Sequence, residues 1–411
     1  MTVKLSDIEA ARLRLKNVIL STPIFPDGRL SREIGAKAHL KAESLQSGGS
    51  FKLRGAYNKI SQLSAEQKKR GVIAASAGNH AQGVALAAKL NGISATIVLP
   101  EMAPLTKVSA TKGFGAEVVM HGTTFDEAVA YSRELGEERG LTYVHAFDDE
   151  LIIAGQGTIG LEIMDALPDV TTVVVPIGGG GLISGIATAI KSVRPDVRII
   201  GVQAENAAWV NPSLKAGHPV YAEMGQTIAD GIAVKSPGKL TLPIIREYVD
   251  KVVEVSDEDI ARGIFFCVQN NRLVVEGAGA ASLAAVLSKK ISVEPDDNVC
   301  VILSGGNIDA NLLARVLEQV LVRQGRYIML KVLVPDRPGL LAGLLKAAAE
   351  SGANVIEVFH RRAMWLAPLG RVGIEMILEV RDDEHGREVQ EHLEKAGYTV
   401  EREGTGDWQE H

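Results

Sequence analysis

The sequence of 411 residues has few aromatic residues, which make up 4% of it, and it has only two cysteines. Cys267 and Cys300 each lie in an apolar run, IFFCVQ and NVCVIL, where a reduced thiol acts as a small core residue. Such cysteine usage is typical of a reducing compartment and provides no disulfide framework. We therefore expect a cytoplasmic protein.

Long hydrophobic runs are also missing. No stretch stays apolar over the roughly 20 residues that a membrane-spanning helix needs, so no membrane partner is expected. The N-terminal segment MTVKLSDIEAARLRL predicts an amphipathic helix with Ser6 as its N-cap. It lacks the basic start and the apolar run of a signal peptide.

The chain has no excess of basic residues. Its net charge is -6, and residues 327–411 carry ten Lys and Arg residues against fifteen Asp and Glu residues. Proteins that bind nucleic acid usually present a basic patch or stripe to the phosphates. We therefore expect no nucleic-acid partner and a small molecule as the ligand.

Signatures of metal sites and of common nucleophiles are absent as well. The nine histidines are scattered, and neither HExxH nor CxxC occurs in the sequence. A GxSxG nucleophile elbow is also missing. The sequence predicts no metal site and no serine or cysteine hydrolase.

The sequence does contain a long alternation of strand and helix patterns. Hydrophobic residues make up 46% of it, which is enough for the cores of two or three domains. Several β-branched runs are apolar throughout, as is typical of parallel strands buried on both faces, so the predicted fold class is α/β with open parallel sheets. The predicted strands are residues 72–76, 95–100, 116–122, 142–147, 172–178, 197–204 and 298–306.

A different pattern follows Gly325, where we place a domain boundary. Its order is βαββαβ, which is typical of a ferredoxin-like α+β module. The first helix of this module is expected to begin with Pro338 near its N1 position. The predicted elements are residues 327–336 (strand), 337–352 (helix), 353–362 and 372–380 (strands), 382–397 (helix) and 398–403 (strand).

Four glycines, Gly178, Gly179, Gly180 and Gly181, stand between an apolar strand and a helix in VVVPIGGGGLISGIA. Backbone N–H groups come close to a ligand at such a place, and the helix N-terminus adds positive partial charge, so we favour a phosphate cradle over a simple tight turn. The spacing is neither that of a P-loop nor that of a dinucleotide fingerprint.

Three other stretches complete the candidate site. SAGNH (76–80) follows a strand and can expose donors to a carboxylate, and LSGGNID leaves Ser304 at another strand end. SGGSFKLRGA places Lys52 after four small residues and Phe51. A phosphate-bearing cofactor that forms an imine with a lysine would use all of these groups, and pyridoxal phosphate is such a cofactor.

The motifs SFKLRGA, SAGNHAQG, GGGGLISG and LSGGNID, in this order, resemble those of the fold-type II pyridoxal-phosphate enzymes, in particular the threonine dehydratases. The resemblance covers about residues 5–320. The βαββαβ module, with DRPGLL at its first turn, resembles an ACT regulatory domain. The resemblance implies two open parallel-sheet catalytic domains of the tryptophan-synthase-β type, made of residues 1–53 with 149–322 and of residues 54–148, a linker at 323–326 and an ACT domain at 327–411.

The resemblance also implies roles for individual residues. Lys52 is the catalytic residue and holds the cofactor through an imine, while Phe51 packs on the ring. The other cofactor-binding residues are Asn79 (ring hydroxyl), Gly178, Gly179, Gly180, Gly181 and Leu182 (phosphate) and Ser304 (pyridine nitrogen), and Ser76, Gly78, Asn79 and His80 receive the substrate carboxylate. Glu276 is either an acidic residue near the site or a carboxylate at a helix start.

The activity that the resemblance implies is dehydration and deamination of L-threonine to 2-oxobutanoate and ammonia, with L-serine giving pyruvate as a secondary activity. Serine dehydratase or racemase activity and β-replacement are the alternatives within the same fold, and a non-enzymatic amino-acid sensor is a third hypothesis. The ACT module implies allosteric control by an amino acid, most plausibly isoleucine, and a homo-oligomer, either a dimer or a tetramer.

The chain departs from its relatives' pattern at three places. Gly48 stands where the family usually has threonine, and Ala77 stands where serine racemases carry a second serine, so we expect little racemisation. Asn211 stands near the position of a second acid that in some relatives binds a divalent cation together with a residue like Glu205. A divalent site is therefore not expected, whereas a monovalent ion remains open.

Overall fold

The computed structural model of the chain describes residues 3–103, 105–221, 223–361 and 368–403. The chain divides into two compact units, Met1–Asp309 and Ala310–His411. The elements of the first unit are α1 (Leu5–Leu15), β1 (Ile24–Pro26), α2 (Gly28–Ile34), β2 (Lys37–Ala42), α3 (Lys52–Ser61), α4 (Ala65–Arg70), β3 (Val72–Ala75), α5 (Asn79–Leu90), β4 (Ala95–Leu99), α6 (Leu105–Gly113), β5 (Glu117–Met120), α7 (Phe125–Arg139), β6 (Thr142–Tyr143), α8 (Glu150–Ala166), β7 (Thr172–Pro176), α9 (Gly181–Lys191), β8 (Arg198–Ala204), α10 (Val210–Ala216), α11 (Thr241–Tyr248), β9 (Lys251–Val255), α12 (Asp257–Phe266), α13 (Gly277–Leu287) and β10 (Asn298–Leu303).

The first unit contains a six-stranded sheet in the order β1-β2-β10-β7-β8-β9. All neighbouring pairs in it are parallel except β1 with β2. Every residue of β7 and β10 is buried, as expected for central strands that are covered by helices on both faces. The predicted parallel α/β class is confirmed, although β1, β2 and β9 were not among the predicted strands.

A second sheet of the first unit has the order β5-β4-β3-β6, and all its pairs are parallel. The predicted strand 142–147 is wrong in length, since β6 contains only Thr142 and Tyr143. Val144 still donates its N–H to Ile73 O at 2.9 Å. The chain then turns, because His145 Nδ1 accepts hydrogen bonds from the N–H groups of Phe147 and Asp148.

The N-terminal helix is present, but the predicted N-cap is wrong. Lys4, with extended backbone, precedes the helix, and its N–H donates to Asp7 Oδ2 at 2.8 Å. Ser6 lies inside the first turn. The reciprocal bond to Asp7 explains the difference, because an acid three residues after the cap satisfies a backbone donor that the helix itself leaves free.

The second unit begins with α14 (Ala310–Arg323) and continues with β11 (Tyr327–Pro335), α15 (Leu340–Glu350), β12 (Asn354–Arg361), β13 (Arg371–Glu379), α16 (Asp383–Lys395) and β14 (Thr399–Arg402). The four strands form an antiparallel sheet in the order β12-β13-β11-β14. The predicted βαββαβ order is therefore present. Its core contains alternate residues of β11 and β13, including Leu330, Val332, Ile374 and Met376.

Helix α15 starts later than the sequence predicts. Pro338 does not occupy the N1 position, because the helix begins at Leu340 with Gly339 as its N-cap. Gly339 has φ +90°, a left-handed conformation that side chains disfavour. The turn before the helix therefore uses the glycine, and the proline lies outside the helix.

The cysteines lie in the core, as the apolar runs around them predict. Cys267 and Cys300 are both free and buried. Across the described ranges, no helix combines the length and the apolar character that crossing a membrane requires.

Candidate active site

Three of the predicted motifs follow strands of the first unit at their carboxyl ends. Residues 76–79 follow β3, residues 177–180 follow β7, and residues 304–307 follow β10. In open parallel sheets, ligands bind outside this end of the strands. Asn307 Nδ2 donates to Asn79 Oδ1 at 2.8 Å, so the motif of the smaller sheet and one motif of the larger sheet meet directly.

Lys52 is the first residue of α3, and Phe51 is the N-cap of that helix. The Phe51 N–H donates to Ser304 O at 3.2 Å, which joins the lysine loop to the end of β10. The Lys52 Nζ lies 5.1 Å from the centre of the Phe51 ring and donates to Ala146 O at 3.2 Å. Three of the predicted motifs, the lysine loop and the residues that follow β3 and β10, thus lie next to one another.

The environment of Lys52 weakens its basicity. Burial lowers the pKa of the amine from 10.5 to about 8, and the negative charge of Glu276 opposes this shift. Helix α5 approaches closely, since a Cβ at Gly83 would lie 3.0 Å from the Lys52 Cβ. A buried amine with such a pKa is partly neutral near physiological pH and can attack a carbonyl carbon.

A buried ionic network fixes the start of α3 two residues after Lys52. The Arg54 guanidinium is fully buried and makes paired hydrogen bonds to both Glu43 and Glu162 at 2.7–2.9 Å. The two carboxylates raise the pKa of Arg54 despite its burial. Lys41 completes the network by pairing with Glu162 and donating to Thr22 O at 2.8 Å. Such a network favours one position of α3 over alternative positions, because any shift would leave buried charges without partners.

The glycine loop after β7 has the geometry of an anion cradle. A Cβ at Gly179 would lie 2.3 Å from atoms of the Phe147 ring, and a Cβ at Gly181 would lie 2.9 Å from the Phe147 Cβ. Gly180 has φ +94° and is the N-cap of α9. Within the described part of the chain, no acceptor is found for the N–H groups of residues 179–182, which include the first turn of α9. These donors can hold a phosphate.

Asn79 is held from both sides. Its Nδ2 donates to Glu276 Oε1 at 2.5 Å, and its Oδ1 accepts from Asn307. Asn307 Nδ2 also donates to Gly48 O at 2.9 Å, at the position where this chain lacks the threonine of its relatives. The amide of Asn79 therefore has a fixed orientation at the mouth of the site.

Glu276 precedes α13 but makes no capping hydrogen bond with its side chain. The carboxylate is buried among Asn79, Gly305 and Gly231, and a Cβ at Gly305 would lie 2.1 Å from Oε1. Burial, together with the negative charge of Asp230, raises the pKa of Glu276 from 4.5 to about 7. Of the two readings that the sequence left open, the geometry agrees with an acidic residue at the site.

Two side chains of loop 76–80 make polar contacts within the protein. Ser76 Oγ accepts the Gly78 N–H at 3.1 Å. His80 is buried, and its Nε2 lies 2.9 Å from Val144 O. Burial, together with the charge of Lys52, lowers the pKa of His80 to about 3, so its ring is neutral. His80 can therefore contribute a backbone N–H to the site but no cationic side chain.

Ser304 is buried at the end of β10, and among the described residues its hydroxyl makes one long contact, 3.4 Å to Ala278 O. The hydroxyl is thus available for a ring nitrogen. The backbone N–H of Leu182 belongs to the first turn of α9, while its side chain packs in the core beside Ile183 and Ile186. A neutral amine, a set of free N–H donors, a fixed amide and a buried hydroxyl together fit an aldehyde cofactor that carries a phosphate and a ring nitrogen.

Several residues at the site were not singled out from the sequence. They are Asn307, which orients Asn79, and the turn His145 to Asp148, which touches both Lys52 and the glycine loop. Asn307 stands in the quoted motif LSGGNID, so its position after a strand end was a usable signal. The turn lay inside a predicted strand, and no local signal separated it from β6.

The fold and the site define an α/β enzyme with a phosphate-bearing cofactor. The family described as pyridoxal-phosphate dependent enzyme matches residues 15–305. The chain belongs to this family, and its predicted cofactor, pyridoxal phosphate, is confirmed.

Two curated relatives match almost the whole chain. The L-threonine ammonia-lyase of Thermotoga maritima is 50% identical over 398 residues, which cover 97% of this chain and 99% of the relative. The L-threonine ammonia-lyase of Geobacter sulfurreducens is 47% identical over 394 residues, covering 96% and 98% of the two chains. Among solved structures, the processed form of threonine deaminase isoform 2 from Solanum lycopersicum superposes with a TM-score of 0.73 at 42% identity, covering 76% of this chain and 91% of that chain.

Proposed function

We propose that the protein converts L-threonine to 2-oxobutanoate and ammonia, and L-serine to pyruvate and ammonia as a secondary activity. The observation that carries this proposal is the Lys52 amine, which lies between Ala146 O and the Phe51 ring with a lowered pKa. The two relatives that match nearly the full chain are both named L-threonine ammonia-lyase.

The residues that would hold the cofactor are those of the three strand ends. Lys52 would provide the amine, the N–H groups of residues 179–182 would bind the phosphate, and the Ser304 hydroxyl would pair with the ring nitrogen. Pyridoxal phosphate, when bound, supplies a carbonyl carbon for the amino group of the substrate and a conjugated ring that accepts electron density from Cα.

Lys52 also acts as the base of the reaction. When it is not bonded to the cofactor, the Lys52 Nζ would be a free amine at the site and would take the proton from Cα of the substrate. A pKa of about 8 suits this step, because an amine with the usual value of 10.5 is almost fully protonated at neutral pH. The overall reaction balances without an oxidant: threonine yields 2-oxobutanoate and ammonia, and the water lost with the hydroxyl is regained in hydrolysis.

The loop at the start of α5 receives the carboxylate of the substrate. Its N–H groups lie at the positive end of a twelve-residue helix, and the Asn79 side chain is held in place by Glu276 and Asn307. The neutral ring of His80 adds no charge there.

Ser304 favours elimination over reactions that need a long-lived Cα carbanion. A hydroxyl is a neutral partner for the ring nitrogen, whereas an aspartate at this position would stabilise a positive charge there. With less charge stabilisation on the ring, prompt loss of the β-hydroxyl is favoured. Ala77 provides no hydroxyl that could return a proton from the opposite face, which argues against racemisation.

The second unit suits a regulatory role. We assign residues 327–411 to an ACT domain on the basis of the βαββαβ order and the turn at Arg337, Pro338 and Gly339. The catalytic part then consists of residues 1–53 with 149–322 and of residues 54–148, with a linker at 323–326. An amino-acid effector at the ACT domain, a homo-oligomer and a cytoplasmic location belong to the same proposal, and the two free buried cysteines support a reducing compartment.

The direct test is release of 2-oxobutanoate from L-threonine by the purified full-length protein with pyridoxal phosphate. The Lys52→Ala variant should lose the activity, whereas Lys89→Ala, which removes an exposed lysine at the end of α5, should retain it. Adding sulfide with an O-activated serine distinguishes β-replacement. No turnover of threonine or serine by the cofactor-loaded wild type would refute the proposal.

A further inference from the structure

The turn that follows β6 reaches from the lysine to the glycine loop. Ala146 O accepts the hydrogen bond of Lys52 Nζ at 3.2 Å. The next residue, Phe147, packs its ring on Gly179, and its backbone lies against Gly181, close enough that a Cβ at either glycine would overlap it. Asp148 then accepts the N–H groups of Lys239 and Leu240 at 3.0 and 2.8 Å. The position of this turn therefore affects both Lys52 and the glycine loop.

One side chain shapes the turn. The Nδ1 atom of His145 accepts the Phe147 N–H at 3.3 Å and the Asp148 N–H at 2.9 Å. The ring also packs edge-on against the Phe147 ring, with centroids 4.7 Å apart. Because Nδ1 is the acceptor, the neutral ring carries its proton on Nε2. Burial is the main cause of the lowered pKa of His145, which agrees with a neutral ring.

We propose that His145 is a positioning residue that acts through this turn to orient Lys52 and the glycine loop for the cofactor. The inference rests on the proposed function of Lys52. If the acceptor is lost, two backbone N–H groups lose their hydrogen-bond partner. The conformation of the turn that directs Ala146 O at Lys52 Nζ is then no longer stabilised by these hydrogen bonds.

The test uses a pair of substitutions with different acceptors. In His145→Asn, the Oδ1 atom occupies the same place along the side chain as Nδ1 and can accept the N–H groups two and three residues on, as asparagine does in turns. In His145→Leu, the apolar bulk stays and the acceptor is lost. Both are compared with wild type and with Lys52→Ala as full-length proteins from which the cofactor has been removed.

Three readouts are measured: the dissociation constant of pyridoxal phosphate, the growth of imine absorbance after it is added, and deuterium exchange in the peptide that covers residues 142–151. We expect His145→Leu to weaken cofactor binding by about tenfold and to expose the amides of Phe147 and Asp148, since a backbone donor that loses its partner costs roughly one factor of ten in an equilibrium constant. His145→Asn should stay within about twofold of wild type on all three readouts.

Equal cofactor binding by the leucine variant and wild type would overturn the inference, as would an asparagine variant that protects both amides and yet binds as weakly as the leucine variant. If the leucine variant does not fold, the asparagine variant decides: protected amides with about tenfold weaker cofactor binding than wild type overturn the inference, and protected amides with wild-type binding support it. A wild-type protein that forms no imine, or a Lys52→Ala variant that still forms one, refutes the proposed function instead.

Discussion

Lys52 differs from an ordinary surface lysine because of its surroundings. The Phe51 ring and Gly83 of the neighbouring helix remove water from the amine, and only Ala146 O accepts its hydrogen bond among the described residues. Burial therefore dominates over the attraction of Glu276, and the pKa falls to about 8. The sequence could identify the lysine, but it could not give its basicity, which depends on residues distant in the chain.

The first prediction concerns the pH dependence of cofactor capture by Lys52. In cofactor-free protein, the rate of imine formation should rise about tenfold per pH unit below pH 8 and level off above it, because only the neutral amine attacks the carbonyl. Glu276→Gln should move the midpoint to lower pH, since it removes the negative charge that raises this pKa. A rate that keeps rising toward the ordinary lysine value of 10.5 would contradict the assigned burial.

Glu276 allows a second prediction, on stability. Its pKa in the folded protein, about 7, lies above its usual value of 4.5, so its contribution to the unfolding free energy is fully present below pH 4.5 and is lost as the pH rises through 7. Glu276→Gln lacks this ionisation. Relative to wild type, the variant should therefore gain about 1–3 kcal/mol of unfolding free energy between about pH 5.5 and pH 8.5.

This comparison is made by urea unfolding of the cofactor-free proteins at both pH values. Glu247→Gln, which changes an exposed glutamate of α11, serves as the control and should show no such pH dependence. A constant difference between Glu276→Gln and wild type at the two pH values would show that Glu276 does not titrate in this range.

At the scale of elements, the loop between β7 and α9 is shaped by close approach. The four glycines were recognised from the sequence as a phosphate cradle. The sequence could not show why Gly179 in particular has no side chain, because the Phe147 ring that fills this space comes from a turn about 30 residues earlier in the chain. Local spacing identifies the loop, and tertiary packing explains its residues.

Gly179→Ala should therefore lower both the stability of the protein and its affinity for pyridoxal phosphate. The added Cβ would lie 2.3 Å from the Phe147 ring, so the ring or the loop must move, and we expect a loss of about 1–3 kcal/mol in unfolding free energy together with at least about tenfold weaker binding of pyridoxal phosphate. Gly113→Ala, at the exposed end of α6 with no atom within 4 Å of the new Cβ, is the control. Calorimetry and cofactor titration of both variants measure the two effects, and equal behaviour would refute the packing argument.

At the scale of the whole molecule, two units of different class share one chain. The α/β unit with its parallel sheets contains all the predicted cofactor and substrate residues, and the antiparallel unit contains none of them. This separation is what a regulatory module attached to a catalytic body requires. It motivates the prediction that an amino acid binds the second unit.

We expect isoleucine to raise the melting temperature of the cofactor-loaded full-length protein, because a ligand that binds only the folded state stabilises it, by about 2.7 kcal/mol at a hundredfold excess over its dissociation constant. Valine and AMP are tested in parallel. Gly339→Ala should diminish the shift, since Gly339 has φ +90° at the start of α15. Gly397→Ala carries the matched change at φ +91° between α16 and β14 of the same unit, with no atom within 4 Å of the new Cβ, and should retain the shift.

No shift with any of the three ligands would argue against the assigned effector class. An equal shift in Gly339→Ala and Gly397→Ala would place the binding site away from the turn that contains Arg337, Pro338 and Gly339.

The sequence by itself determined the fold class, the family and the cofactor, because hydrophobic periodicity and short motifs are local properties of the chain. It failed where the decisive contact comes from elsewhere in the chain. The end of β6, the neighbours of Glu276 and the role of Asn307 could not be seen in the sequence, since each depends on a hydrogen bond or on burial that forms only in the folded protein. Only the tertiary structure lowers the pKa of the lysine in SFKLRGA, since desolvation is a property of the folded site and not of the motif.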